Sequence, residues 1–238
     1  MIQLKAIRKR FGPLEVLRGV DLDIRPGRIT AIVGPNGSGK TTIIKMLLGL
    51  VKPDSGRIVW QGHTLNGDWR YRERVGYMPQ IVRFPENLTG RELLDMITDL
   101  RGGESAPDTE LVGGFALEKD LDKPFRVLSG GTRQKVNAAI AFRFHAELMI
   151  LDEPTAGLDP VATRALKEKV RRERDRGRSV VITSHNLGEL DTLADDVAFL
   201  LEGRIRYRGP LDALKAETGE PELEGAIARL MLAEGEDR

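Results

Sequence analysis

A glycine-rich loop between an apolar strand and a helix constrains the fold of this chain more than any other feature. The loop runs from Gly34 to Thr41, reads GPNGSGKT and fits the pattern G-x-x-x-x-G-K-[ST]. We expect a buried strand over 28–33 and a helix over 42–50. Glycines allow backbone N–H groups to crowd around a phosphate, and the helix N-terminus adds partial positive charge. The pattern therefore predicts a phosphate site, in which Lys40 reaches the β and γ phosphates and Thr41 holds Mg²⁺.

An ordinary glycine turn before a helix is the alternative explanation of this loop, so the other motifs decide between the two. A second candidate is Ser129-Gly130-Gly131, which precedes a helix predicted over 133–145. Ser129 can cap that helix, and the two glycines expose backbone N–H groups to an anion. A capped helix without a ligand is the alternative here, and it is less favoured in a chain that has a phosphate loop.

Two adjacent acids, Asp152 and Glu153, follow the apolar segment 148–151. Such a segment is typical of a buried parallel strand, which carries functional groups at its carboxyl end. We expect Asp152 to hold Mg²⁺ through water and Glu153 to polarise an attacking water. A solvated loop is the less favoured alternative.

Three further residues are ambiguous when each is considered alone. Gln80 follows a strand predicted over 75–78, and His185 follows one predicted over 180–183. An ordinary loop glutamine and a capping histidine are the alternatives to contacts with a nucleotide. Phe11, beside the turn Gly12-Pro13, is either a core aromatic or a ring that stacks on a nucleotide base.

The composition limits the classes of function. The 238 residues suffice for one large α/β domain, or for a core with a small subdomain. Lys and Arg number 37 against 36 Asp and Glu, so the net charge of +1 gives no support for a nucleic-acid partner. The lack of cysteine excludes disulfides, thiolate metal sites and cysteine nucleophiles. We expect no signal peptide and no membrane span, because no apolar window approaches about 18 residues.

The remaining sequence predicts further helices and strands around these motifs. Helices are expected over 89–101, 161–176, 187–194 and 210–234, and a hairpin over 197–208. The segment of about 81–145 reads as a mainly helical insert without heptads. Residues 61–73 are polar and are expected to be irregular.

The order of these motifs resembles the nucleotide-binding subunit of an ABC (ATP-binding cassette) transporter over nearly the whole chain. The phosphate loop, a Q-loop glutamine, a signature sequence, a Walker B strand, a D-loop and a switch histidine follow one another in the family's order. The signature L-S-G-G-Q corresponds to Leu128 to Thr132, and the D-loop to Gly157-Leu158-Asp159. The resemblance also favours Phe11 as the ring that stacks on adenine.

The resemblance implies an α/β fold with a P-loop NTPase core, an antiparallel β subdomain and a small helical subdomain. It implies one domain over 1–238, with a helical subdomain at about 81–145 and C-terminal helices at about 210–238. The implied catalytic residues are Glu153, His185 and Gln80, and the implied Mg²⁺ ligands are Thr41, Gln80 and Asp152. The implied ATP contacts are Phe11, Gly34, Pro35, Asn36, Gly37, Ser38, Gly39, Lys40, Thr41, Thr42, Ser129, Gly130, Gly131 and Asp159.

The resemblance further implies that two copies of the chain sandwich two ATP molecules head to tail, Ser129 and Gly131 of one copy facing the γ-phosphate held by Lys40 of the other. Gln80 would link the nucleotide to a separate membrane permease, which places the chain on the cytoplasmic face of the membrane. Thr132 departs from the family signature, which has glutamine there. Threonine keeps a hydrogen-bonding side chain but loses the reach of the amide, so we expect ATP turnover to survive.

The segments 69–80 and 128–135 are similar to the ATPase subunit of the transporter that supports copper-site maturation of nitrous oxide reductase. This similarity does not imply that the chain itself binds copper, because its three histidines are far apart in sequence.

ABC ATPases of DNA repair carry a long coiled coil, and the ABC translation factors join two cassettes in one chain. Neither feature is present in this sequence. A soluble ATPase of iron–sulfur cluster assembly has one cassette and remains the alternative.

Overall fold

The computed structural model describes residues 1–65, 67, 69–102 and 106–236. It divides into two compact units. Unit one comprises Met1–Trp69 and Ser179–Arg238, and unit two comprises Arg70–Arg178. The last two residues of the C-terminal segment predicted to be helical, 237 and 238, lie outside the described residues.

The strands and helices follow the order of the sequence. The strands are β1 (Ile2–Phe11), β2 (Leu14–Ile24), β3 (Ile29–Val33), β4 (Ser55–Trp60), β5 (His63–Thr64), β6 (Val75–Met78), β7 (Leu148–Asp152), β8 (Ser179–Thr183), β9 (Asp196–Leu201) and β10 (Arg204–Pro210). The α-helices are α1 (Lys40–Leu47), α2 (Gly90–Leu100), α3 (Glu110–Gly114), α4 (Gly130–Ala141), α5 (Pro160–Asp175), α6 (Leu187–Leu193), α7 (Leu211–Thr218) and α8 (Leu223–Glu236). This mixture confirms the predicted α/β class.

Unit one contains two kinds of sheet. An antiparallel sheet has the strand order β2-β1-β4-β5. Beside it, β3 pairs in parallel with both β8 and β9, and β10 adds to β9 in an antiparallel direction. All five residues of β3 and of β8 are buried, as expected for parallel strands covered on both faces.

In unit two, β6 and β7 form a parallel pair. Helices α2, α3 and α4 lie within the segment predicted to be a helical insert, whose limits as a subdomain stay a prediction. Helix α2 begins with a complete capping box, in which Thr89 and Glu92 exchange hydrogen bonds with each other's backbone N–H groups. In the part of the chain that the structure describes, no helix is both long enough and apolar enough to cross a bilayer.

Several boundaries differ from the predictions for identifiable reasons. Helix α1 begins two residues earlier than predicted and ends at Leu47, because the loop leads directly into it and Gly49 then takes a positive φ of 67°. Helix α4 begins at Gly130 rather than 133, because Ser129 caps it. The helix predicted over 210–234 is two helices, since Gly219 adopts a left-handed conformation at φ 71° and ends the first one. A short strand, β5, lies in a segment that we expected to be irregular.

Candidate nucleotide-binding site

The phosphate loop of unit one lies where a buried strand gives way to a helix. Strand β3 ends at Val33, and α1 begins at Lys40. The Lys40 Nζ donates hydrogen bonds to the carbonyl oxygens of Gly34, at 2.6 Å, and Pro35, at 3.0 Å. The ammonium group is thus held against the loop itself, close to where a bound phosphate would be enclosed by the loop.

The loop has no room for side chains at its two ends. A Cβ added at Gly34 would lie 2.1 Å from the carbonyl oxygen of Leu200, and one at Gly39 would lie 2.6 Å from a methyl group of Leu17. Gly39 also has a φ of 112°, which L residues rarely adopt. The glycines therefore let the loop pack closely against Leu17 and Leu200 of the same unit.

Ser38 provides an independent test of whether this loop fits a phosphate. Its side chain is buried, and its Oγ lacks a hydrogen-bond partner within the described part of the chain. A buried hydroxyl without a partner costs free energy, of the order of 1–3 kcal/mol. A phosphate oxygen accepts such a hydrogen bond, so the geometry fits the predicted ligand.

His185 reaches the same edge of the parallel sheet as the loop. In the pairing of β3 with β8, Ala31 lies opposite Ile182. Gly34 lies three residues after Ala31, and His185 lies three residues after Ile182. Both residues therefore follow the carboxyl ends of adjacent strands. The His185 side chain is exposed there.

Phe11 ends β1 in the antiparallel sheet of unit one. Its side chain is 49% exposed, and the Lys9 Nζ lies 5.4 Å from the centre of its ring. A core position is therefore excluded, and about half of the side chain is accessible for stacking on a base.

In unit two, the predicted catalytic residues follow adjacent parallel strands. Met78 of β6 lies opposite Leu151 of β7. Gln80 lies two residues after Met78, and Glu153 lies two residues after Leu151. Glu153 is 8% exposed and has a φ of 51°, a left-handed conformation that is unusual for a residue other than glycine. Such a conformation costs about 1–3 kcal/mol and is found preferentially at functional sites. Glu153 is therefore a buried acid whose strained backbone directly follows β7.

The signature sequence forms the start of α4 as predicted. The Ser129 Oγ accepts a hydrogen bond from the Thr132 backbone N–H at 3.2 Å, and the hydroxyl oxygens of the two residues lie 2.9 Å apart. The first turn contains no acidic residue, so the partial positive charge of the helix end is not neutralised from within that turn. This end of α4 can therefore bind an anion.

Unit two also brings the signature next to the predicted D-loop. A Cβ added at Gly131 would lie 2.9 Å from the carbonyl oxygen of Gly157. Asp159 caps α5 by accepting a hydrogen bond from the Ala162 backbone N–H, and Lys135 of α4 pairs with it at 2.6 Å. The hydrogen bond from Lys135 is the main reason that the pKa of Asp159 lies below its ordinary value.

Two buried amides that sequence reasoning missed connect these motifs. Asn137 donates to the carbonyl oxygen of Pro79, next to Gln80, at 2.9 Å. Gln134 lies 3.5 Å from the carbonyl oxygen of Pro154, next to Glu153, and 3.4 Å from Asn137. The only signal in the sequence is two polar residues, three positions apart, on the buried face of a predicted helix. The signature helix is thus tied to the backbone beside both predicted catalytic residues of unit two.

The predicted metal ligands are a hydroxyl, Thr41, an amide, Gln80, and one carboxylate, Asp152. The described residues include no group of three or more His, Cys, Asp and Glu that could hold a metal ion. Mg²⁺ in phosphate-transfer sites is usually held by one or two protein oxygens, by water and by the phosphates of the substrate. The chemistry of each of these side chains therefore fits Mg²⁺ that arrives with a nucleotide.

A comparison with known families shows which family the chain belongs to. The family model described as ABC transporter matches residues 17–156, which include the phosphate loop, the signature and both acids. The chain belongs to the ABC transporter family. It is an ATPase of this family, with ATP and Mg²⁺ as its ligands.

The matches to similar ABC proteins cover most of the chain. A daunorubicin resistance ATP-binding protein of Streptomyces coeruleorubidus is 36% identical, and the match covers 92% of this chain and 71% of the relative. A lantibiotic transport ATP-binding protein of Streptococcus pyogenes is 32% identical, over 86% of this chain and 89% of the relative. A solved structure described as the ATP binding subunit of an ABC transporter superposes with a TM-score of 0.89 at 30% identity, over 97% of this chain and 99% of that one. The predicted family is confirmed.

Proposed function

We propose that this chain is the ATP-hydrolysing subunit of a transporter, that it dimerises head to tail around two ATP molecules, and that it drives a separate membrane permease. The observation that carries the proposal is a pair of anion-binding helix starts in one chain, at Lys40 and at Gly130. One ATP needs only one phosphate loop. In the proposed dimer each nucleotide has the loop of one copy and the signature of the other, as the family resemblance implies.

Each predicted site residue has a proposed role in this dimer. The loop residues Gly34 to Thr42 bind the phosphates, and Phe11 stacks on adenine. Thr41, Gln80 and Asp152 hold Mg²⁺, which neutralises phosphate charge when it is bound. Ser129, Gly130 and Gly131 donate to the γ-phosphate held by the other copy, with Asp159 beside them.

Glu153 is the proposed general base, because it is a buried acid on a strained backbone directly after β7. It accepts a proton from the water that attacks the γ-phosphate. His185 contacts the same phosphate from the end of β8. Removal of the base should stop hydrolysis and leave ATP binding intact.

The variant Glu153→Gln tests this proposal directly, since it keeps the shape of the side chain and removes the base. In size-exclusion chromatography with ATP and Mg²⁺, we expect this variant to elute as a dimer, and as a monomer without nucleotide. Glu118→Gln, which changes an exposed glutamate of unit two, is the matched control and should hydrolyse ATP normally. A Glu153→Gln protein that stays monomeric at saturating ATP would contradict the dimer.

The permease and the cargo require a separate test. The two relatives described above are named for daunorubicin resistance and for lantibiotic transport, so similar cassettes serve different cargoes. The finer proposal, copper-site maturation of nitrous oxide reductase, rests on the similarity of segments 69–80 and 128–135. Co-purification of a permease from detergent-solubilised membranes supports a transporter at the cytoplasmic face. Recovery of soluble partners alone would favour the alternative, an ATPase of iron–sulfur cluster assembly. Neighbouring reading frames for copper-site maturation would support the finer proposal.

A further inference from the structure

The residue that departs from the family signature touches the signature serine. Thr132 contacts Ser129 through both its backbone N–H and its hydroxyl, at 3.2 and 2.9 Å. Threonine has a short side chain, so its hydroxyl stays over the first turn of α4. The departure therefore changes the surroundings of the signature hydroxyl, Ser129, that the proposed function aims at the γ-phosphate of the other copy.

A serine hydroxyl has one proton to donate and can accept two hydrogen bonds. The Thr132 backbone N–H occupies one acceptor position of the Ser129 Oγ. When the Thr132 hydroxyl donates to the second, both acceptor positions are filled. The Ser129 proton then has only the outward direction left, toward the solvent side of the helix start, where Ser129 and Gly130 are exposed.

An anion at this helix start favours that arrangement. A phosphate oxygen accepts the Ser129 proton, and the Thr132 proton then turns toward the Ser129 Oγ. Hydrogen bonds in such a chain polarise one another, so each strengthens the next. Thr132 thus makes Ser129 a better donor to a phosphate without needing to touch the phosphate itself.

We propose that Thr132 is a positioning residue, whose hydroxyl directs the Ser129 proton toward the γ-phosphate held by the other copy of the chain. This inference rests on the proposed dimer. It assigns to Thr132 a role in the affinity of the two copies for each other through ATP, rather than in the chemistry of hydrolysis.

Two variants separate the hydroxyl of Thr132 from its shape. Thr132→Val keeps the volume and the β-branch and removes the hydroxyl. Thr132→Ser removes a methyl group and keeps the hydroxyl. Thermal unfolding of both proteins checks that α4 is intact, because a helix start that unfolds would affect both variants.

The readout is the protein concentration at which half of the chains dimerise with ATP and Mg²⁺, measured by sedimentation in a Glu153→Gln background. We expect Thr132→Val to raise this concentration by about three- to tenfold, the range of one hydrogen bond, and Thr132→Ser to stay within about twofold. In the chain with Glu153 present, Thr132→Val should raise the KM for ATP while kcat changes by less than about twofold.

Equal dimerisation of the Thr132→Val and Thr132 proteins would overturn the role of Thr132 and leave the dimer standing. Equal weakening by Thr132→Val and Thr132→Ser would also overturn it, since the hydroxyl would then be irrelevant. If the Glu153→Gln protein with Thr132 does not dimerise at all, both the dimer and this inference are wrong.

Discussion

The phosphate loop and the signature start both expose a helix N-terminus, but the side chains around them differ in an instructive way. At the loop, Ser38 has a buried hydroxyl without a partner in the described chain, and apolar Leu17 and the Leu200 backbone press against the glycines. At the signature, Ser129 is already hydrogen bonded to Thr132. The loop thus keeps a buried donor that a phosphate can satisfy, whereas the signature serine has a partner within the chain. We therefore expect the loop to bind phosphate more tightly than the signature does.

The supports of the two sites differ as well. The loop is supported by close packing in unit one, while the signature helix is held by the buried amides of Gln134 and Asn137. Elsewhere in unit two, Lys169 of α5 is fully buried among carboxylates: it pairs with Asp108, with Glu110 at 2.9 Å and with Glu173 at 3.1 Å. Unit two therefore depends strongly on polar and charged groups in its interior, and the following predictions test that contrast.

The largest expected effect comes from Lys169→Met, which removes the buried ammonium and keeps most of the volume. Asp108 and Glu110 lose the cation that faces them, so we expect the free energy of unfolding to fall by about 3–5 kcal/mol. Urea denaturation measures it. Lys119→Met, at an exposed site of unit two, should change the value by less than about 0.5 kcal/mol. A Lys169→Met protein as stable as the parent would show that the buried charges contribute nothing.

Lys40→Ala should abolish the function of the loop while the fold stays intact. We expect ATP hydrolysis to fall by about 100-fold or more, because the proposed site loses the cation that would neutralise the phosphates. Lys45→Ala, which changes an exposed lysine on the same helix, is the matched control.

Ser129→Ala should leave nucleotide binding by the monomer unchanged and weaken only the dimer. If Lys40→Ala and Ser129→Ala impair monomer binding equally, the distinction between the two sites is lost.

Gly34→Ala and Gly130→Ala compare the packing of the two sites. The new methyl group at position 34 would overlap the Leu200 carbonyl, and we expect a loss of about 1–3 kcal/mol in stability. At position 130 a Cβ meets nothing within 4 Å, so stability should change by less than about 0.5 kcal/mol. Thermal unfolding of both proteins measures the difference, and a reversed order would refute the packing argument.

Acid should produce the smallest of these effects, again in unit two. Burial pulls the pKa of Asp108 upward, but hydrogen bonds from Lys169 and the Glu110 backbone outweigh it and leave the pKa below its ordinary value. A carboxyl whose pKa is lowered by folding stabilises the fold above about pH 4. This stabilisation is lost as the pH falls through the pKa of Asp108 in the folded chain. Denaturation at pH 7 and pH 3 should show a smaller loss of stability in Lys169→Met than in the parent chain. An equal loss would contradict the assignment to this pair.

Local sequence predicted the parts of the site that depend on neighbours in the chain. Strand β6 has the bounds predicted for it, and the phosphate loop follows a buried strand as its spacing required. The turn between α7 and α8 was missed, although Gly219 is there to signal it. The exposure of Phe11 was left open, because a strand end gives no indication of which face is covered.

The contacts that join distant segments could not be predicted from a single sequence. Asn137 and Pro79 are 58 positions apart, and Lys169 and Asp108 are 61 apart. A buried lysine inside a charged helix reads as a solvated face until the packing partners are known. The contact of Thr132 with Ser129 is local, and the capping pattern made its backbone part predictable; its hydroxyl part required the structure.

In the proposed dimer, each ATP is enclosed by the loop of one chain and the signature of another. The chain has no cysteine, so a thiol placed at Asn36 in one preparation and at Gly130 in a second gives each chain a single reactive group. In the Glu153→Gln background, the two preparations are mixed and treated with a short bifunctional thiol reagent. We expect a mixed adduct, identified by mass, that forms with ATP and Mg²⁺ and not without them. A mixed adduct whose yield is the same with and without ATP, or its absence at saturating ATP, would contradict the head-to-tail dimer.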